Sequence, residues 1–147
     1  MFDLKQLPGT KVGEYKVLAK VGVGGMGVVF EGLQPLIGKR VAIKVLLPQY
    51  SAQQELVDRF LSEARAVNAI RHRGIVDIFS FGQLPDGAHY LVMEFLEGEP
   101  FDKLIRRKGP LPVVEVLGWL EEVLDALDAA HAKGIIHRDI KPSNLFL

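Results

Sequence analysis

Residues 21–32 read VGVGGMGVVFEG, with glycine at 22, 24, 25 and 27 between two runs of β-branched and aromatic residues. Extended segments on either side of a glycine cluster form the pattern of a β-hairpin. A glycine inside a regular element costs about 0.5–1 kcal/mol relative to alanine. Four of them need a reason: a tight turn, or something that comes so close that side chains must be absent. Gly22, Gly24 and Gly27 fit G-x-G-x-x-G, which several unrelated phosphate-binding loops share. A dinucleotide-binding fold would open a helix at the third glycine and place an acid about 20 residues on. Here Gly27 leads into VVFEG, a strand, and the stretch 41–47 holds no acid. A Walker A loop would end in Gly-Lys-Ser/Thr, whereas Gly27 precedes Val28 and Val29. Two readings survive on the glycines alone: a flap over a nucleotide, and an ordinary glycine-rich hairpin.

The rest of the chain supplies context. Residues 1–13 carry Pro8, Gly9 and Gly13 and read as a loose leader. Strands are expected at 15–21, 28–32, 40–47, 76–81 and 88–95, the last two separated by the turn residues Pro85, Asp86 and Gly87. Between the third and fourth lies SAQQELVDRFLSEARAVNAIRH, with apolar residues at 56, 60, 64 and 67 and with Ser51 and Gln54 spaced as a capping box. After Gly98 the period turns helical, first near 101–107 and then over 113–133. There Leu117, Leu120, Leu124 and Leu127 share a face, and Gly134 ends the run. Five strands with one inserted helix followed by helices predict an α+β first part and a helical second part, meeting near 93–98.

Three sets of charged residues stand out against this frame. Lys44 shares one side of the strand VAIKVLL with Ala42 and Leu46, and an ammonium on so apolar a strand either snorkels to solvent or meets an anion. Glu63 is spaced within the apolar stripe of the helix, facing the sheet as partner of Lys44, or else pairs with Arg59 at i,i+4 on the surface. HRDIKPSN, residues 137–144, places Asp139, Lys141 and Asn144 within six positions just after a helix end. A carboxylate can take a hydroxyl proton, a cation can neutralise a transferred phosphoryl group, and magnesium takes hard oxygen ligands. For any one of the three a polar turn is the plain alternative.

In this order, GVGGMGVV, VAIK, the helix glutamate and HRDIKPSN resemble the first half of a protein kinase domain of the bacterial serine/threonine type, from about Tyr15 to Leu147. The resemblance implies a five-stranded antiparallel lobe with one helix over 14–92, a hinge at 93–97 and the start of a helical lobe over 98–147. It implies ATP and Mg2+ as cofactors. Gly22, Val23, Gly24, Gly25 and Gly27 would line the phosphates, with Lys44 on the α- and β-phosphates and paired to Glu63. Val29 and Ala42 would cover one face of the adenine and Phe146 the other. Met93 would be the gatekeeper, with backbone groups of Glu94 and Leu96 on the base edge. Asp139 would deprotonate the substrate hydroxyl, Lys141 would contact the γ-phosphate, and Asn144 would bind the metal. Lysine two positions after the aspartate is the family's serine/threonine form. Departures are HRGIV at 72–76, which replaces the family's frequent proline after the histidine, and the end at Leu147, before any Asp-Phe-Gly or activation loop.

Composition limits the remaining classes. With 18 basic and 18 acidic side chains in 147 residues and no basic run, nothing indicates a nucleic-acid partner. The absence of cysteine excludes a disulfide scaffold or thiolate metal site and suits a reducing compartment. No signal-peptide pattern opens the chain, and no apolar run reaches the roughly 18 residues of a membrane span, which gives a cytoplasmic expectation. The expected activity is phosphorylation of serine or threonine on protein substrates by the parent kinase, this chain alone being inactive. Its partners would be those substrates and whatever covers the helix at 113–133. The alternatives are a pseudokinase-like module that binds nucleotide or a partner without chemistry, and a small-molecule phosphotransferase, which the full HRDIKPSN string disfavours.

Overall fold

The computed structural model describes residues 4–147. Six strands form one antiparallel sheet: β1 (Lys11–Val12), β2 (Tyr15–Val23), β3 (Gly27–Gln34), β4 (Lys39–Leu46), β5 (Ile78–Gln83) and β6 (His89–Glu94), in the order β1-β2-β3-β4-β6-β5. The helices are α1 (Pro48–Ser51), α2 (Gln54–Ile70), α3 (Phe101–Lys108) and α4 (Val113–His131). The chain divides into two compact units, residues up to 68 with 77–95, and 69–76 with 96–147.

In the first unit the period-2 pattern of β4 does the organising. Val41, Ile43 and Val45 turn to one side and are fully buried with Val17, Val28, Phe30, Tyr90 and Val92. Leu46, on the other side, packs with Leu91 and with Val57, Phe60 and Ala64 of α2. A strand apolar on both sides needs cover on both, and α2 covers the second.

Two sequence expectations change here. The leader is not loose over its described part: Leu7 is fully buried, Gly9 N–H donates to Val17 O at 2.8 Å, and β1 pairs with β2 through Lys11–Lys16 and Val12–Tyr15. Gly9 and Gly13 have φ of 90° and 57°, so the glycines that suggested looseness are turn residues of an added edge strand. This accounts for six strands where five were expected; positions 1–3 of the leader lie outside the described residues. Nor do Ser51 and Gln54 form a capping box. Pro48 starts the separate helix α1, Ser51 ends it, and the Ser51 hydroxyl accepts a hydrogen bond from His89 N–H at 3.1 Å.

In the second unit, Ala126 and Ala130 of α4 and Leu104 of α3 are buried, and Phe101 meets Trp119 edge-on at 5.6 Å. His72 Nε2 lies 3.1 Å from Asp125 Oδ2, and Gly74 N–H donates to His72 Nδ1 at 3.0 Å, tying the segment 69–76 to α4. On α4, Leu117, Leu120 and Leu124 are 59, 40 and 65% exposed.

Because Leu7 closes the large cluster, Leu7→Ala should lower unfolding free energy by roughly 2–5 kcal/mol, the range for emptying a packed leucine site. Urea denaturation of the 147-residue chain measures it. An unchanged midpoint would mean the leader is dispensable.

Candidate functional site

The glycine cluster sits at the tip of the β2–β3 hairpin. Gly24 N–H donates to Gly27 O at 2.8 Å across the turn, and Leu47 N–H reaches Met26 O at 3.0 Å. The glycines divide by physical cause. A Cβ on Gly27 would meet Val45 O at 2.5 Å, so the sheet itself demands glycine there. Gly22, Gly24 and Gly25 have no positive φ. A Cβ on Gly22 or Gly25 would meet nothing within 4 Å, and one on Gly24 only Gly27 O at 3.9 Å. The described chain gives no internal reason for these three, and bare backbone is left where a ligand can approach closely. Val23 beside them is 65% exposed.

Cross-strand register collects several of the singled-out residues. Directly paired residues in antiparallel strands point to the same side. Gly22 pairs with Val29, Val29 with Lys44, Lys44 with Leu91, and Ala42 with Met93. Ala42 and Lys44, two apart on β4, share a side. Gly22, Val29, Ala42, Lys44 and Met93 therefore lie on the sheet face that α2 partly covers. Glu94 points the other way, and its N–H donates to Asp77 O at 2.9 Å, so a ligand contact to its backbone must use the carbonyl.

Lys44 is half-buried, and its Nζ stands 5.6 Å from the centroid of the Phe60 ring. Burial pulls the ammonium below its ordinary pKa, and attraction to Glu63 works against that shift. The two charges feel each other without touching: no nitrogen–carboxylate contact within 4.0 Å joins Lys44 to Glu63, nor does one join Arg59 to Glu63. Glu63 is exposed, at the margin of a buried stripe formed by Val57, Phe60 and Ala64. The stripe predicted from 56, 60, 64 and 67 is rotated accordingly, with Leu56 and Val67 only half-buried.

The second unit holds the remaining candidates. Asp139 is built into a compact loop: Lys141 Nζ lies 2.8 Å from its Oδ2, and Asn144 Nδ2 donates to its carbonyl at 2.9 Å and to Oδ2 at 3.0 Å. Its own N–H donates to His137 Nδ1 at 3.3 Å. Arg138, at φ 64°, turns the chain so that these groups face one another, a conformation disfavoured for a long side chain. The hydrogen bond from Lys141 holds the Asp139 carboxyl below its ordinary pKa; burial opposes it, and the hydrogen bond from Asn144 and the charges of Lys141 and His137 add to the lowering. Asn144, donating through Nδ2, keeps Oδ1 as an oxygen donor. Downstream, Leu147 and Glu99 exchange backbone hydrogen bonds of 3.1 Å, and Phe101 N–H donates to Leu145 O at 2.8 Å. Gly98, at φ 111°, lets Leu147 O approach where a Cβ would collide. Phe146 in this segment is 42% exposed and Leu96 is half-buried.

The sequence reading missed the His72–Asp125 tether, because it treated 72–76 only as a loop that lacks proline. A histidine two residues after a helix end, with glycine two residues further on, was the available signal. The electrostatics of the loop give a direct test. A depressed aspartate pKa means the carboxylate is ionised at neutral pH and its ionic contacts are lost only as pH falls below the usual carboxylate range. Carbon-detected NMR titration should place Asp139 below the ordinary value of about 3.9, and Lys141→Met should move it upward. An Asp139 midpoint that ignores Lys141→Met would refute the contact as its cause.

Comparison with known proteins bears on the family. A sequence model described as the protein kinase domain matches residues 15–147. Serine/threonine-protein kinase Pkn1 of Myxococcus xanthus is 47% identical over 141 residues, 96% of this chain and 20% of that protein. Serine/threonine-protein kinase PknA of Mycobacterium tuberculosis is 37% identical over 142 residues, 94% of this chain and 33% of that protein. The crystal structure of the M. tuberculosis PknI kinase domain superposes with a TM-score of 0.81 at 32% identity, covering 95% of this chain and 56% of that one. The chain thus spans a third or less of Pkn1 and PknA and somewhat over half of the solved PknI kinase domain. With a match over 15–147, the chain belongs to the protein kinase domain family.

Proposed function

We propose that this chain carries the nucleotide-binding and catalytic-loop parts of an ATP-dependent serine/threonine protein kinase that acts on protein substrates in the cytoplasm. The observation that carries the reading is Lys44: an ammonium partly desolvated on the same sheet face as Gly22, Val29, Ala42 and Met93, with no carboxylate of the described residues within 4.0 Å. Such a cation gains most from a multivalent anion that approaches over bare backbone. Gly22, Val23, Gly24, Gly25 and Gly27 would offer backbone to the triphosphate and Lys44 its charge, with Glu63 closing on Lys44 to steady it. Val29 and Ala42 would pack on one face of the adenine beside Met93, with the carbonyl of Glu94 on its edge.

In the transfer step the serine or threonine oxygen forms a bond to the γ-phosphorus while the bond to the bridging β,γ-oxygen breaks and ADP leaves. The hydroxyl proton goes to the Asp139 carboxylate, which its contacts keep ionised and ready to accept it. Lys141 would turn from Asp139 to the transferred phosphoryl group. Asn144 Oδ1 would hold Mg2+, which neutralises phosphate charge when bound. The fit of these residues to the metal is partial: among the described residues no group of three or more His, Cys, Asp or Glu could hold an ion.

The same point favours, for this chain alone, nucleotide binding without transfer, since phosphoryl transfer needs a magnesium-holding carboxylate beside Asn144 and the 147 residues contain no Asp-Phe-Gly. The exposed stripe Leu117, Leu120 and Leu124 would be covered by further kinase-domain chain or by a partner. No described helix is long and apolar enough to cross a membrane.

Incubation with radiolabelled ATP, magnesium and a generic protein substrate tests the reading, beside equilibrium ATP binding. Weak ATP binding that Lys44→Met abolishes, with no label transferred, is expected. Transfer that vanishes in Asp139→Asn would overturn the claim of inactivity, and ATP binding untouched by Lys44→Met would overturn the site.

A further inference from the structure

The apolar contacts of Val57, Phe60 and Ala64 hold α2 against the sheet, yet such contacts are non-directional and leave rotation and sliding cheap. Toward its C-terminal half the packing thins: a cleft of about 280 Å3 opens there, lined among others by Leu61, Ala64, Arg65, Asn68, Phe79 and Phe81. At that end Asn68 does something no other described side chain on the helix does. Its Nδ2 donates to Ile78 O at 2.9 Å while its Oδ1 accepts from Ile78 N–H at 3.0 Å. The carboxamide thus pairs with the outer edge of β5 as a neighbouring strand would, satisfying both backbone groups of one residue on an edge strand. Two bonds to the backbone of one strand residue fix both the axial position and the rotation of the helix end.

The anchor connects to the lysine through the sheet. Ile78 pairs with Met93, Met93 with Ala42, and Ala42 is two residues from Lys44. Glu63 stands five residues before Asn68, about 7.5 Å along the helix axis. A carboxylate that attracts Lys44 without contacting it is sensitive to small rotations of α2. We infer that Asn68 is a positioning residue for the nucleotide site, setting through its pairing with Ile78 how closely Glu63 approaches Lys44. The inference rests on the nucleotide reading proposed above.

Asn68→Ala removes both hydrogen bonds while raising helix propensity, so α2 itself is not weakened. Asn68→Asp keeps the acceptor for Ile78 N–H and loses the donor. The affinity of the 147-residue chain for an ATP analogue fluorescent on its ribose is measured for these variants, in the wild-type and the Glu63→Gln background. Asn68→Ala should weaken binding about fivefold in wild type and less than twofold beside Glu63→Gln, a coupling of the size seen for residues that act together. Asn68→Asp should fall between wild type and Asn68→Ala, and hydrogen exchange at the Ile78 amide should quicken about tenfold in Asn68→Ala. An equal loss in both backgrounds makes Asn68 merely structural and overturns the inference. So does unchanged affinity in Asn68→Ala while Lys44→Met still abolishes binding. Binding indifferent to Lys44→Met overturns the nucleotide reading, and the role of Asn68 with it.

Discussion

One ammonium on the inner strand β4 sets the terms for the first unit. Five of the six residues 41–46 are buried, and Lys44 is the exception, half-buried among them. A fully apolar side chain there would let α2 seat evenly along the strand. Lysine instead holds a cation partly out of water against the ring of Phe60, with only a distant carboxylate for compensation. The hydrophobic clusters on both sides of β4 supply the stability that tolerates this local strain, and the register of β2, β3, β4 and β6 gathers Gly22, Val29, Ala42 and Met93 on the face where the cation lies.

The loop around Asp139 solves a different problem with local means. Its carboxylate is exposed, and contacts from Lys141 and Asn144 hold it in one orientation and keep it ionised. The left-handed backbone at Arg138 bends the chain enough for residues within six positions to face one another, and the pairing of 145–147 with 99–101 steadies its far side.

Legibility in the sequence followed the range of the interactions. Strands β2 to β6 were readable because period-2 patterns record which side is buried, and helix α4 because its apolar residues recur with the helical period, although the stripe Leu117, Leu120 and Leu124 is exposed. The Asp139, Lys141 and Asn144 cluster was readable because its contacts span five residues or fewer. The division of labour among the glycines was not, since only the position of Val45 O shows that Gly27 is required and Gly22, Gly24 and Gly25 are not. Leu7 looked like part of a polar, turn-rich leader; its burial depends on a cluster assembled from β2, β4 and β6. Ser51 carried a capping signal that Pro48 pre-empted by starting a helix three residues earlier. Glu63 matched the helical spacing and still came out exposed, because α2 rotates to seat Val57 rather than Leu56. Local chemistry can be read from spacing, and tertiary contacts decide among locally equivalent residues.

Everything proposed for the nucleotide site depends on Lys44 being a partly desolvated cation poised for polyphosphate. NMR titration of the Lys44 side chain, followed at Nζ or Cε with and without ADP, measures this directly. In the free chain the midpoint should lie below that of ordinary lysines, since burial disfavours the charged form. It should shift upward with ADP and not with adenosine, because only the phosphates supply the anion. An ordinary midpoint in the free chain, or the same response to adenosine as to ADP, would contradict it.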